Sequence, residues 1–163
     1  MNYHNITKDD MLNGDGLRVV LWTAGCTHCC DGCHNPETWD VASGIEFDNA
    51  AEEELFEALS QEHISGITFS GGDPLHPFNR ETVLRLAKKV KETYPNKTVW
   101  LYTGFLWEEV KDKIELDYID VLIDGEFKKE LNDNNLLWVG SSNQRIIDVK
   151  KTLEQGNIVL HKS

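Results

Sequence analysis

The chain has 163 residues, 40% of them hydrophobic, which suits one soluble globular domain with one core. Acidic residues outnumber basic ones by 28 to 16, and the formal net charge of -12 argues against nucleic acid and against an anionic membrane surface as partners. The polar start lacks the apolar stretch of a signal peptide and no apolar run is long enough to span a bilayer, so a cytoplasmic location is expected.

Segments with strand and helix character alternate along the first half of the chain. Residues 17–23 are apolar and β-branched and predict a buried strand, and a cysteine-rich loop follows it directly. Residues 48–60 predict a helix, because an aspartate stands where it can cap the first turn. Residues 66–70 predict a second strand, which ends at Gly71 and Gly72.

The alternation continues in the second half. Asn79 opens a predicted helix with an acidic residue in its first turn and lysines near its end, and Pro95 follows it. Residues 98–102 predict a third strand, 106–114 a short helix and 119–123 a fourth strand. Strands and helices that alternate in this way predict an α/β fold with parallel strands joined by right-handed crossovers.

The length limits which α/β architecture the chain can adopt. A complete eight-fold barrel needs roughly 200 residues or more, so a partial barrel or an open sheet remains, as a single domain over residues 1–163. In either architecture ligands gather at the carboxyl ends of the strands. Both the cysteine loop and the Gly-Gly loop are predicted to lie at those ends.

All four cysteines fall in one short loop, where two interpretations of their spacing compete. One is a Cys-x3-Cys-x2-Cys triad of Cys26, Cys30 and Cys33; the other is two Cys-x-x-Cys pairs, which also use Cys29. In a reducing cytoplasm such clusters indicate metal ligands or redox centres in preference to structural disulfides. Zinc fits poorly because structural zinc sites put a longer loop between their two pairs, and a thioredoxin-type site needs only one pair.

The triad fits an iron–sulfur cluster, which thiolates hold. Three cysteines on a cluster of four irons leave one iron with an open position, as a metal site that binds a substrate requires. The amino and carboxylate groups of S-adenosylmethionine can chelate that iron, and an electron entering the sulfonium would break the bond to the adenosyl group. Cys29 is then a bystander, since a fourth thiolate would close the open position, and His28 is interpreted as a solvated or hydrogen-bonded loop histidine.

The triad spacing resembles the radical S-adenosylmethionine superfamily, and the Ser-Gly-Gly-Asp-Pro-Leu loop after the second strand strengthens the resemblance. Glycines let a backbone approach a ligand closely, and the resemblance implies that Gly72 contacts the methionine end of the cofactor, with Asp73 replacing the usual glutamate. It also implies that Gly32, Cys33 and His34 lie beside the cofactor, where His34 replaces the usual aromatic residue near the adenine.

Short segments across nearly the whole chain resemble the activating proteins of anaerobic ribonucleoside-triphosphate reductases, which are glycyl-radical activases. The segments are residues 2–4 and 13–18, the cysteine loop with Asn35, Thr38 and Trp39, and residues 70–77, 100–104, 121–127 and 140–144. The residues from about 146 onward lie outside the resemblance.

That resemblance implies a partial (βα) barrel of reduced size with a mostly parallel sheet. It also implies an enzyme that takes an electron from reduced flavodoxin or a similar donor and cleaves S-adenosylmethionine at a 4Fe-4S cluster. The resulting 5′-deoxyadenosyl radical would remove a hydrogen from a backbone glycine of the reductase's large subunit. No catalytic side chain is implied beyond the cluster and the cofactor.

Several residues keep two interpretations each. Trp39, Trp107 and Trp138 are candidate anchors for the protein partner, or ordinary core residues. Asp15 and Arg18 are candidates for binding the partner or the cofactor, or a plain turn and a surface charge. Two rival functions stay open: a small radical enzyme that acts on a free metabolite, and a noncatalytic iron–sulfur or zinc binding module.

Overall fold

The computed structural model describes residues 1–26, 40–133 and 135–161. These residues form one sheet in the order β3-β1-β2-β4-β5-β6-β7. Its strands are β1 Asn2–Asp10, β2 Arg18–Thr23, β3 Ile45–Glu46, β4 Gly66–Gly71, β5 Thr98–Tyr102, β6 Val121–Asp124 and β7 Arg145–Asp148. The helices are α1 Asn49–Leu59, α2 Arg80–Thr93, α3 Trp107–Val110 and α4 Val149–Gln155, with a 3-10 turn at Lys129–Leu131.

The sheet is mixed, with a parallel centre. β2, β4, β5 and β6 pair in parallel, and the antiparallel strands β1, β3 and β7 lie outside them. The four parallel strands are the four that the sequence predicts, and the α/β prediction is confirmed. Parallel strands are buried on both faces, which is why these segments are mostly apolar and can be predicted from the sequence.

The helices pack on one face of the sheet. Buried residues of all four helices share one core cluster with Leu21, Phe69 and Leu101 of the parallel strands. Because side chains alternate across a strand, neighbours such as Trp100, Val121 and Ile123 face the other side. There they form a second cluster that contains residues from strands and from the loop around Trp138, with no helical residue among its described members.

The helix boundaries follow from local signals. The Asp48 carboxylate accepts a hydrogen bond from the Ala51 amide at 2.9 Å, which confirms the predicted cap of α1. α2 buries a stripe that includes Val83, Leu86 and Val90 and ends before Pro95. The helix predicted over 106–114 is shorter in the structure, where it covers only Trp107–Val110. A tight turn follows it, and no helix of the described residues is long and apolar enough to cross a membrane.

Arg18 closes the amino ends of three parallel strands. Its side chain is completely buried, so the interpretation as a surface charge is wrong. The guanidinium donates hydrogen bonds to Thr68 Oγ1, Thr98 Oγ1 and the carbonyls of Asp15, Ile67 and Thr98. The cysteine loop leaves the opposite end of the same strand. Residues at the amino face of parallel strands serve stability, and this is the role that the contacts give Arg18.

Candidate functional site

Cys26 lies just beyond the carboxyl end of β2. Thr23 ends the strand, Ala24 is buried, and Cys26 is half-buried. Between them Gly25 has a φ of +105°, and a Cβ on it would lie 2.4 Å from Val41 Cγ1. Both the left-handed backbone and the close contact require glycine, so Gly25 sets the direction in which the chain enters the cysteine loop.

The Gly-Gly loop continues the pairing between β2 and β4 past the ends of both strands. The Gly72 amide donates to the Thr23 carbonyl at 2.8 Å, and the Asp73 amide donates to the Gly25 carbonyl at 2.7 Å. Gly71 has a φ of +108°, and a Cβ on it would lie 2.4 Å from Thr23 O. The structure therefore brings the segment that carries Cys26 directly against the loop that carries Gly72, as predicted from strand order.

Asp73 ties this loop to the next strand. Its carboxylate is almost fully buried and accepts hydrogen bonds from the Leu75 amide at 2.9 Å, the Thr103 hydroxyl at 2.9 Å and the Gly104 amide at 3.0 Å. A carboxylate that accepts several charge-assisted hydrogen bonds is held strongly. Asp73 thus fixes the Gly-Gly loop on the end of β5, a contact that the sequence pattern did not reveal.

A second polar cluster lies at the end of β6, on the same edge of the sheet. Asp124 is fully buried and accepts from the Trp107 amide at 2.8 Å and from Arg145 Nε at 3.1 Å. Arg145 also binds Glu108 at 2.8 Å. The hydrogen bond from Arg145 lowers the pKa of Glu108, and the bonds to Asp124 and Glu108 raise the pKa of Arg145. The cluster joins β6, β7 and α3.

The segment after the Trp138 loop is a turn that Gln144 organises. The Gln144 side-chain oxygen accepts from the amides of Gly140 and Ser141 at 3.0 and 3.2 Å, and its nitrogen donates to the Gly125 carbonyl at 3.1 Å. This side chain satisfies backbone groups on both sides of the strand end. Residues 140–144 therefore form a structural turn.

Comparison with known proteins adds the family. Residues 12–147 match the family described as 4Fe-4S single cluster domain. The anaerobic ribonucleoside-triphosphate reductase-activating protein of Haemophilus influenzae is 43% identical over 150 residues, which is 90% of this chain and 97% of the relative. The protein of the same name from Enterobacteria phage T4 is 45% identical over 146 residues, 90% of this chain and 93% of the relative.

The chain belongs to the family of anaerobic ribonucleoside-triphosphate reductase-activating proteins. The member from Escherichia coli K12 is 42% identical over 148 residues, 88% of this chain and 96% of the relative. The resemblance seen in short segments is thereby confirmed across nearly the whole chain. The match to 4Fe-4S single cluster domain stops at residue 147, so α4 and the residues after it lie beyond it.

Within this activating-protein family member, only part of the predicted site falls in the described residues. Cys26 and Gly72 do, and they lie on adjacent loops. The other predicted ligands and cofactor contacts lie outside the described residues: Cys30, Cys33, Gly32 and His34. Cys29 and His28 lie outside them as well.

The candidate aromatic anchors differ in their surroundings. Trp107 is only 5% exposed and belongs to the main core, so its interpretation as a docking anchor is wrong. Trp138 is half-buried and packs edge-on against Trp100 at 4.9 Å, while Trp39 lies outside the described residues. An aromatic residue that the sequence analysis missed is Phe78, which follows the Gly-Gly loop and is 71% exposed.

Proposed function

We propose that this protein activates anaerobic ribonucleoside-triphosphate reductase by generating a glycyl radical on the reductase's large subunit. The radical would arise from reductive cleavage of S-adenosylmethionine at a 4Fe-4S cluster. Family membership supports the reductase as the target, and one structural observation supports the chemistry. The Cys26 segment and the Gly72 loop are joined at the carboxyl edge of the parallel strands, through the 2.7 Å bond from the Asp73 amide to the Gly25 carbonyl.

Cys26, Cys30 and Cys33 would hold the cluster. The donor chemistry of the described part fits, because Cys26 offers a thiol at a half-buried position, and thiolates are the ligands of iron–sulfur clusters. A bound 4Fe-4S cluster supplies the electron that breaks the carbon–sulfur bond of the sulfonium. Gly25 turns the chain after the last residue of β2, so Cys26 lies in the loop beyond the sheet. Cys29 would stay outside the ligand set.

Gly72 would bind the methionine end of S-adenosylmethionine. The Gly72 amide already donates to the Thr23 carbonyl, so we assign the contact to the Gly72 carbonyl oxygen, which can accept a hydrogen bond from the cofactor's amino group. The Asp73 carboxylate holds the loop against β5, which orients that carbonyl before the cofactor arrives. Gly32, Cys33 and His34 would line the adenosyl side.

We infer that the sheet is part of a partial (βα) barrel of reduced size. In a barrel the helices form an outer layer and the other face of the strands is turned inward. Here the buried residues of all four helices share one cluster, and the face with Trp100 and Ile123 has a separate cluster. The four parallel strands would then form the barrel segment, as a single domain, with their carboxyl ends around the cofactor.

The partners follow from the same chemistry. The substrate would be a glycine loop of the reductase's large subunit, and reduced flavodoxin or a similar protein would donate the electron. Phe78 lies beside the Gly-Gly loop with 71% of its surface exposed, which makes it a candidate contact for the reductase. The net charge of -12 supports a protein that binds neither nucleic acid nor an anionic membrane surface, and its proposed location is the cytoplasm.

Anaerobic reconstitution with iron and sulfide tests the proposal. We expect about four irons per chain, cleavage of S-adenosylmethionine to methionine and 5′-deoxyadenosine with dithionite, and a glycyl signal in electron paramagnetic resonance only when the reductase is present. Tightly bound zinc without cofactor cleavage would instead identify a noncatalytic binding module. Cleavage that consumes a free metabolite and leaves no signal on the reductase would identify a small-molecule radical enzyme.

Four serine variants test the ligand assignment. Ser at Cys26, Cys30 or Cys33 should abolish cluster binding, because each would remove one of three thiolates. Cys29→Ser is the matched control and should retain the iron content and the cofactor cleavage of the native protein. Loss of the cluster in the Cys29 variant would overturn the assignment.

A further inference from the structure

Asn79 stands at the start of α2, but its side chain does not cap the helix. It is 1% exposed, and its Nδ2 group donates to the Ala24 carbonyl at 2.8 Å and to the Asp73 carbonyl at 3.0 Å. Asparagine at this position ordinarily accepts a bond from the first helical turn. The side chain instead links two segments that are 49 residues apart in the sequence, through the carbonyls of Ala24 and Asp73.

These two carbonyls belong to the two loops of the proposed site. Ala24 lies between Thr23 and Gly25, whose carbonyls already accept from the amides of the Gly-Gly loop. The Asp73 carbonyl follows Gly72 directly. One planar amide group with two hydrogens therefore joins the carbonyl just before the Cys26 segment to the carbonyl just after Gly72.

The placement restricts movement that the backbone pairing leaves open. The two backbone hydrogen bonds from the Gly72 and Asp73 amides join the loops, but the loops can still rotate relative to each other about these bonds. A third connection, through the side chain of Asn79 immediately before α2, restrains the two loops further. Burial of the amide makes both bonds hard to replace with water.

We propose that Asn79 is a positioning residue. It sets the distance between the cluster, which Cys26 helps to hold, and the Gly72 carbonyl, which contacts the cofactor. This inference rests on the proposed function. Asn79 contacts the segments that carry Cys26 and Gly72, and it is not itself a ligand of the cluster or the cofactor. Its replacement should therefore change the affinity for the cofactor and the position of the cofactor relative to the cluster.

Asn79→Asp is the test variant, with Arg80→Gln as the matched control. Aspartate has nearly the same size and is an equally good residue at a helix start, so α2 should form normally. Its carboxylate places oxygen against two carbonyl oxygens and removes both bonds. Arg80 is the next residue and donates to the Leu75 carbonyl at 3.0 and 2.8 Å, within the same loop but without contact to the Ala24 segment through those bonds.

The first measurement is amide hydrogen exchange of the metal-free proteins. In Asn79→Asp we expect exchange of the Gly72 and Asp73 amides to rise about tenfold, together with exchange in the Ala24 segment. Arg80→Gln should leave both within about twofold of the native rates. Unchanged exchange in Asn79→Asp would overturn the proposal, and so would an equal rise in the control.

The second measurement is cofactor binding by the reconstituted proteins. Asn79→Asp should retain the native iron content but bind S-adenosylmethionine about tenfold more weakly, with a smaller change in the electron paramagnetic resonance of the reduced cluster on cofactor addition. Arg80→Gln should bind within about twofold of the native protein. Native affinity in Asn79→Asp would contradict the assignment.

The role of Asn79 can still be tested if the variant does not fold or if the native protein does not bind the cofactor. If Asn79→Asp does not fold, Asn79→Ser serves in the same measurements, since serine also starts helices well and can keep only one of the two bonds. An intermediate effect supports the proposal and a native result overturns it. If the native protein neither binds nor cleaves S-adenosylmethionine, the proposed function fails, whereas hydrogen exchange still shows whether Asn79 joins the two loops.

Discussion

Replacing Arg18 by methionine should strongly destabilise the protein, because the Arg18 side chain is fully buried. The native guanidinium donates to two threonine hydroxyls and to the carbonyls of Asp15, Ile67 and Thr98, all at 2.8–2.9 Å. It also lies 5.4 Å from the centre of the Trp100 ring. Methionine can fill the space of the aliphatic stem but offers no donor.

The magnitude follows from the groups that lose a partner. A buried carbonyl left unsatisfied costs about 1–3 kcal/mol, which applies in full to the Ile67 carbonyl. The bonds to the Asp15 and Thr98 carbonyls are only partly buried and water can replace them in part, so the three together should cost an amount toward the lower end of about 3–9 kcal/mol. Part of this cost is offset, because the native state also carries the cost of a buried charge, and burial lowers the pKa of Arg18 to about 10. We therefore expect a net loss of about 3 kcal/mol, a large part of the 5–15 kcal/mol of a typical domain.

Urea unfolding of the metal-free protein, followed by circular dichroism, measures this loss. Arg18→Lys is the control for charge alone: lysine keeps the cation but cannot reach all the acceptors of the planar fork, so we expect it to recover only part of the stability. Destabilisation of less than about 1 kcal/mol in Arg18→Met, or full native stability in Arg18→Lys, would refute the reasoning.

Three further predictions concern other parts of the described structure. Arg85 and Lys89 bind Glu52, and the hydrogen bond from Arg85 lowers its pKa below 4.5, so its contribution is present above that pH and is lost as the pH falls further. Glu52→Gln should therefore destabilise at pH 7, by a difference that shrinks as the pH falls below the ordinary range of a glutamate, and a difference that is independent of pH in urea titrations would contradict this. Tyr102→Phe removes a 2.6 Å bond from the hydroxyl to a loop carbonyl and should cost about 1 kcal/mol in urea unfolding, whereas no loss would mean that the bond contributes nothing. Arg145→Gln leaves the fully buried Asp124 without its cation and should cost about 3–5 kcal/mol in the same assay; a cost below about 1 kcal/mol would show that water or another group replaces the cation.

The centre of the sheet was predictable because its strands satisfy a simple rule. β2, β4, β5 and β6 are buried on both faces, so their sequences are mostly apolar and end at polar or glycine residues. The antiparallel strand β1 was not predicted, because Asn2–Asp10 is polar and partly exposed and gains its strand conformation from pairing with β2.

The candidate site was predictable only at the level of loops. Strand order placed Cys26 and Gly72 on one edge, and the structure has them on adjacent loops. Local patterns assigned Asn79 correctly to the start of a helix but carry no information about the two carbonyls that its amide reaches. The contact between Asp73 and Thr103 likewise depends on strand pairing, since no short sequence window contains both residues.

The two ends of the parallel strands should respond independently to mutation. Arg18 ties β2, β4 and β5 at their amino ends, whereas Asn79 ties the loops after β2 and β4 about 20 Å away, as judged from about 3.3 Å per residue along β2. Sites that are this far apart and share no partner usually have additive effects.

The double variant Arg18→Met/Asn79→Asp should therefore unfold with the sum of the two single losses, to within about 0.5 kcal/mol. Its folded fraction should bind S-adenosylmethionine as weakly as Asn79→Asp alone, while Arg18→Met alone should bind like the native protein. Weaker cofactor binding in the folded fraction of Arg18→Met would show instead that the amino ends of the strands control the geometry of the cysteine edge. Stability and cofactor positioning would then be a single property of the sheet.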